Sequence, residues 1–244
     1  MARSLLWISG ASDGIGAALA AAVPWEDARV IGISRSRPAG GIEHLQADLA
    51  DPSSWEAVGE SFRQELDGFN GEHVVFVQAA GTLEPMGFAG EVDDQAYRTN
   101  VLLNSAAPQV LGHLFLSAAR EVRADRALVM LTSGAATSVY PGWASYGAAK
   151  AATDHWTRNA GAEQAERGGV QVLAIAPGTV DTGMQALIRK TAEDDFPNRQ
   201  KFVDLHAGGK LTPPQDVARA IWSLLDGDDL TNGSVVDLRE LAKD

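Results

Sequence analysis

The 244-residue chain predicts one doubly wound α/β domain, a parallel sheet with helices on both faces. Two observations carry this. Short apolar runs of strand length alternate with helical stretches, the order that builds a parallel sheet covered on both sides. The first run also ends in a glycine-rich turn that opens a helix, an arrangement suited to a nucleotide at the carboxyl edge of such a sheet. The length suits one domain with a full core better than two small ones.

Residues 5–9 read as the first strand, and Gly10, Gly14 and Gly16 follow with G-x-x-x-G-x-G spacing. Glycines there let the chain turn tightly and bring backbone N–H groups close to a pyrophosphate. The alanine-rich stretch 15–23 is a helix by propensity and stops before Pro24. Residues 29–34 form the second strand, followed by Arg35 and Arg37. An acidic residue at this strand end would bind a ribose 2′-hydroxyl; Ser34 and arginines suit a 2′-phosphate instead. Arg37 taken alone reads as a solvated surface residue.

Residues 44–47 are a third strand, ending at Asp48 and Leu49. Ser53 and Glu56 have capping-box spacing at the start of a helix that runs to about residue 66. Residues 73–77 are strand four, ending at Gln78, Ala79, Ala80 and Gly81. The stretch 93–119 is mostly helical, with Asn100 inside it and Pro108 as a kink or break.

The run 127–131 is a buried strand whose carboxyl end delivers Ser133. Tyr146 and Lys150 lie four apart and share a helix face. A hydroxyl, a phenol and an ammonium converging on one point can hold a carbonyl oxygen as it gains negative charge, and then protonate it. A lone Tyr-x-x-x-Lys also recurs in ordinary helices; the nucleotide turn upstream is what gives this one weight.

Apolar residues make up 45% of the chain and charged residues 21%, as in a soluble globular protein. A formal net charge of −12 disfavours loose binding to nucleic acid or anionic membrane. With no cysteine there is no disulfide, thiolate or zinc–thiolate chemistry, and no metal site is expected. No apolar run reads as a membrane span and the start does not read as a signal peptide, so the expected location is cytoplasmic.

At this point the chain resembles the short-chain dehydrogenase/reductase family over essentially its whole length. The resemblance is carried by the glycine turn, Asp48, Ala80-Gly81, Asn100, Ser133, Tyr146, Lys150 and Pro177-Gly178. Within the family it looks most like sepiapterin reductases and bacterial benzil reductases, through residues 81–85, 140–150, 181–189 and 208–211. The resemblance implies a Rossmann sheet of seven parallel strands, the last two at 170–176 and 234–237. It implies an NADP(H) site in which Gly10, Ser12, Gly14, Ile15 and Gly16 bind the pyrophosphate and adenosine ribose. Arg35 would meet the 2′-phosphate, and Asp48 and Leu49 would flank the adenine. Ala80 and Gly81 would lie along the cofactor. The Pro177-Gly178 turn, Val180 and Thr182 would hold the nicotinamide end. Asn100, Ser133, Tyr146 and Lys150 would be the catalytic tetrad, Tyr146 and Lys150 also touching the cofactor.

Two positions depart from the family. Gln78 and Ala79 replace a pair of asparagines, and Asp13 stands where many NADP-using members carry a basic residue. Leu83, Tyr140, Trp143 and Met184, with Met86, Leu187, Phe196 and Phe202, predict an apolar, aromatic-friendly substrate pocket. Asp237 stands where sepiapterin reductases anchor the pterin ring, or simply ends a strand. Residues from about 183 to 212 form a short substrate lid, read as mobile.

The expected activity is NADPH-dependent reduction of a ketone or vicinal diketone. A cofactor-binding sensor without turnover, and a reductase of acyl or sugar carbonyls, stay open as alternatives. The expected assembly is a homodimer or homotetramer. By the resemblance its interface would use the helices at 93–119 and 145–166, the second carrying Ala148, Ala149, Ala151, Ala152, Ala160 and Ala162.

Overall fold

The computed structural model describes residues 3–227 and 230–241. These form a seven-stranded sheet, all parallel, in the order β3-β2-β1-β4-β5-β6-β7. The strands are β1 Ser4–Ser9, β2 Ala28–Ser34, β3 Glu43–Gln46, β4 His73–Gln78, β5 Asp125–Leu131, β6 Gln171–Ala176 and β7 Val235–Asp237. Ser9 pairs with Ile33 on one side and Gln78 on the other, so the carboxyl ends of β1 and β4 lie level. Strand order reverses between those two strands, which opens a crevice above them.

All six residues of β1 are buried, as a central parallel strand requires. Its side chains alternate between two cores. Leu5 and Trp7 face Phe62, Phe76 and Phe115, on α2 Trp55–Leu66, β4 and α4 Ala107–Ala118. Leu6 and Ile8 face Leu19, Ile221 and Trp222, on α1 Gly14–Ala21 and α8 Pro214–Leu225. Trp7 meets Phe62 edge-on at 5.1 Å and donates to Ser61 Oγ at 3.0 Å. Trp222 donates to the Leu19 carbonyl at 3.1 Å. Both indoles thus bury their rings without stranding a polar atom.

Two local expectations are corrected. Ser53 and Glu56 do not form the capping box. Asp51 accepts from Ser53 N at 2.9 Å and starts a 3₁₀ turn, Pro52–Ser54, ahead of α2. A short carboxylate before proline reaches the N–H two residues on more readily than a serine inside the turn does. The stretch around Pro108 is broken one turn earlier than the proline. α3 Asp94–Val101 passes into a π turn, Leu102–Ala106, before α4. Within Asp94–Ala118, 25 residues long, one 18-residue window has a mean hydropathy of 1.2, long and apolar enough by those measures alone to cross a membrane. A third of that window is buried against the rest of the domain.

The lid folds as α6 Gly183–Lys190 and α7 Arg199–Ala207. Phe196 between them stacks on Trp143 at 4.6 Å and 20°, and Phe202 lies 5.4 Å from the same indole. Gly142 makes this docking possible. Its φ is +91°, and a Cβ there would sit 2.3 Å from the Asp195 carbonyl oxygen. On α5 Ala144–Ala165, Ala149 and Ala160 are buried within the chain. Ala148 and Ala162 are exposed, so the six alanines do not share one free face.

Candidate active site

Two cavities meet above the β1–β4 crevice and share Ala79 and Gly81. One is lined by Gly10, Ser12, Arg35, Asp48, Leu49 and Ala80, all expected at the adenosine and pyrophosphate. The other, about 300 Å³, is lined by Ile15, Ser133, Tyr146, Lys150, Pro177, Gly178, Val180 and Thr182. Leu83, Tyr140, Trp143 and Met184 line it as well. Gly14 and Gly16 line neither cavity; they shape the turn. A Cβ on Gly16 would sit 2.3 Å from the Gly10 carbonyl oxygen, and one on Gly10 would sit 3.0 Å from Ala80. This tight glycine cradle at the start of α1 fits a dinucleotide phosphate. Asp13 caps α1, accepting from Gly14 N at 2.7 Å.

The departure at Gln78 has a structural answer that the sequence reading missed. Ser9 Oγ donates to Gln78 Oε1 at 2.9 Å and accepts from the Ala79 and Ala80 N–H groups at 2.9 and 3.0 Å. One hydroxyl thereby fixes the turn shared by both cavities.

Ser133 caps a 3₁₀ turn, Gly134–Ala136, and its hydroxyl faces the Tyr146 phenol. Lys150 Nζ donates to the Leu131 carbonyl at 2.8 Å and lies 5.7 Å from the Tyr146 ring centroid. Both side chains are buried. The strand end and the helix face therefore bring the three groups together. Burial pushes the phenol above its usual 10, and the Ser133 hydroxyl opposes this. The expected lowering of Tyr146 therefore needs positive charge nearby. Burial also lowers Lys150 from 10.5 to about 8, so its ammonium still carries charge at neutral pH.

Asp154, one turn beyond Lys150, pulls the lysine back up. The sequence reading did not single it out, although its i, i+4 spacing was visible. It is 5% exposed and faces the Thr132 hydroxyl, Lys150 and Arg158. Burial raises its own pKa, and those three groups oppose that rise. Asp154→Asn removes the anion that favours charged Lys150, so the lysine pKa falls further. The alkaline limb of carbonyl reduction should then move to lower pH by about one unit. A kcat/KM–pH profile with an unmoved limb would separate Asp154 from Lys150.

The structure does not bring Asn100 to this point. Its amide donates to the Glu84 carbonyl at 2.8 Å and, more weakly, to Thr82 at 3.4 Å, and it lines neither cavity. Asn104, in the π turn, comes closer. It grips Thr82 twice, accepting from Thr82 N at 2.9 Å and donating to Thr82 O at 2.7 Å. A Cβ on Gly81 would lie 2.9 Å from Asn104 Oδ1 and 3.9 Å from Lys150 Nζ, so both side chains converge on Gly81. Pro108 has no N–H, which leaves the Asn104 carbonyl without its α-helical donor and able to accept elsewhere. That Asn-x-x-x-Pro spacing was the signal in the sequence.

Asp237 also lies outside both cavities' linings. Arg239 binds it, donating to Oδ1 from Nε and from the backbone N–H, each at 2.9 Å. Arg239 itself reaches the catalytic cavity in its place. Phe196 is fully buried behind Trp143, and Met86 and Leu187 pack on the same cluster. The aromatic wall is therefore part pocket and part core.

A dinucleotide groove that ends at a serine, a phenol and a buried ammonium defines an oxidoreductase on a Rossmann fold. A short chain dehydrogenase family model matches residues 5–193, and the chain belongs to that family. A benzil reductase from Bacillus cereus that forms (S)-benzoin is 33% identical over 245 residues, covering 96% of this chain and 98% of that one. A sepiapterin reductase from Bos taurus is 26% identical, covering 97% and 95%. In three dimensions the KRED1-Pglu enzyme matches with a TM-score of 0.80 at 26% identity, over 96% of this chain and all of its own.

Proposed function

We propose that this protein is an NADPH-dependent carbonyl reductase acting on an aryl ketone or vicinal diketone. The observation that carries the reading is the convergence of Ser133, Tyr146 and Lys150 in a cavity also lined by Leu83, Tyr140, Trp143 and Phe202. When bound, the reduced nicotinamide supplies the hydride. Ser133 holds the substrate oxygen and Tyr146 donates its proton to it. Lys150 strengthens that acid by its charge and binds the nicotinamide ribose. Asn104 takes the fourth place, its carbonyl holding a water between Lys150 and solvent, in preference to Asn100.

A sensor reading gains nothing from a buried phenol facing a serine hydroxyl. An acyl or sugar substrate fits poorly against a wall of indole, phenol and phenyl rings. A panel containing benzil, simple aryl ketones and a pterin side-chain ketone, followed by NADPH consumption, tests the reading. Turnover should be highest on the aryl diketone and ketones. Silence across the panel, with cofactor binding intact, would favour the sensor.

A further inference from the structure

The side chains that line the catalytic cavity are mostly apolar or neutral, and among the described residues no carboxylate lines it. Its charged members are Lys150, Lys201 and Arg239, all cations, in a chain whose net charge is −12. Lys150 belongs to the inner, catalytic end, where its ammonium is held by the Leu131 carbonyl. Lys201 lies at Tyr140: its Nζ donates to Tyr140 Oη at 2.8 Å and lies 5.0 Å from that ring and 5.7 Å from Phe202. Arg239 lines the same cavity with its side chain against Gly134 and Gly178.

Both cations are exposed, and each is oriented by its contacts. Two glycines make room for Arg239: a Cβ on Gly178 would come within 3.1 Å of its stem, and one on Gly134 within 3.3 Å of Nη2. Asp237 clamps Nε and Nη2, which orients the guanidinium while offsetting its charge. A guanidinium oriented by one carboxylate retains N–H groups for a second, since it carries five donors in a planar fork. Lys201 is steadied by a phenol and two ring faces, and these leave its full charge in place. The cavity wall thus combines ring faces at Tyr140, Trp143 and Phe202 with cationic donors.

We propose that this wall is an anion site, and that the carbonyl compound reduced here carries a carboxylate on the aromatic portion remote from the reacting carbonyl. The inference rests on the carbonyl-reductase reading and deepens it. A neutral aryl diketone would fill the slot but leave two ordered cations to water. A carboxylate at this wall would accept from Lys201 and Arg239 together, at the modest cost of ordering side chains that are already oriented.

The test uses a matched pair, benzil-4-carboxylate and its methyl ester, with a pair that cannot be reduced, 4-phenylbenzoate and 4-phenylbenzamide. The acid diketone should exceed its ester in kcat/KM by about tenfold at low salt, and the gap should close as salt rises. Calorimetry should show the benzoate binding tighter than the amide by a similar factor. Lys201→Met and Arg239→Met should each bring both ratios down toward one. If both diketones turn over equally and the benzoate binds no better than the amide, the anion site is overturned and the reductase reading stands. If neither diketone turns over while the benzoate binds in a Lys201-dependent way, the reductase reading fails and the anion site stands.

Discussion

Tyr146→Phe should lower carbonyl reduction by about 100- to 10,000-fold while leaving cofactor affinity close to wild type. The range is that of a positioned general acid. The substitution removes one oxygen and keeps the ring, which packs 5.6 Å from Trp143 at 67°. Its cost to the fold is small, since only the interaction of the phenol with Ser133 is lost. The phenol's proton is needed only as the substrate oxygen becomes an oxyanion, so the loss falls on turnover rather than on binding. Lys150→Ala should damage both, because the ammonium serves the acid and the ribose together. It also leaves the buried Leu131 carbonyl without its 2.8 Å donor. Steady-state kinetics beside cofactor titration separate these outcomes. A Tyr146→Phe enzyme that keeps more than a few per cent of wild-type turnover would show that another group is the acid.

What the sequence made legible was local. The glycine turn, the strand ending at Ser133 and the Tyr146–Lys150 face each depend on a few residues of fixed spacing, and the structure assembles them with little adjustment. The asparagine was misread because the π turn at Leu102–Ala106 inserts extra backbone into the helix. That insertion rotates every later residue away from the face a regular period assigns it. Asn104 and Asn100 are four apart and look alike on a regular helix; only the turn, with Pro108 behind it, decides which one reaches Gly81. Ser9, Asp154 and Arg239 were missed for a different reason. Each acts through contacts made across the fold or buried within it, on Ala79 and Ala80, on Thr132 and on Gly178, which no short spacing displays. The lid was read as mobile from its charges, Pro197 and glycines. In the structure Phe196 and Phe202 dock it on Trp143, a tertiary contact that composition does not display.

Cofactor choice should turn on Arg35. NADPH differs from NADH only by the 2′-phosphate, nearly two negative charges at neutral pH. Arg35 follows β2 directly and lines the nucleotide cavity beside Gly10 and Asp48. Its backbone is held on both sides. Gln46 donates to the Arg35 carbonyl at 3.2 Å, and Ser34 Oγ donates to the Ser36 carbonyl at 2.7 Å, which leaves the guanidinium to reach the ligand. Arg37 lines a separate depression with Glu65 and His44, so Arg35 carries the preference without it. Asp13 lines the same cavity as Arg35, but one of its oxygens is spent on the amino terminus of α1, at Gly14 N. A charge-assisted arginine–phosphate contact contributes roughly 1.5–3 kcal/mol, about ten- to a hundredfold in affinity. Catalytic efficiency should therefore be at least about tenfold higher with NADPH at low salt, and the gap should narrow as salt screens the contact. Arg35→Asp should reverse the order, chiefly by raising the KM for NADPH, because a carboxylate repels the phosphate and accepts from the free 2′-hydroxyl of NADH. Equal efficiency of the wild type with both cofactors at low salt would sink the assignment. So would an Arg35→Asp enzyme that still prefers NADPH, since the 2′-phosphate would then be held elsewhere in the groove.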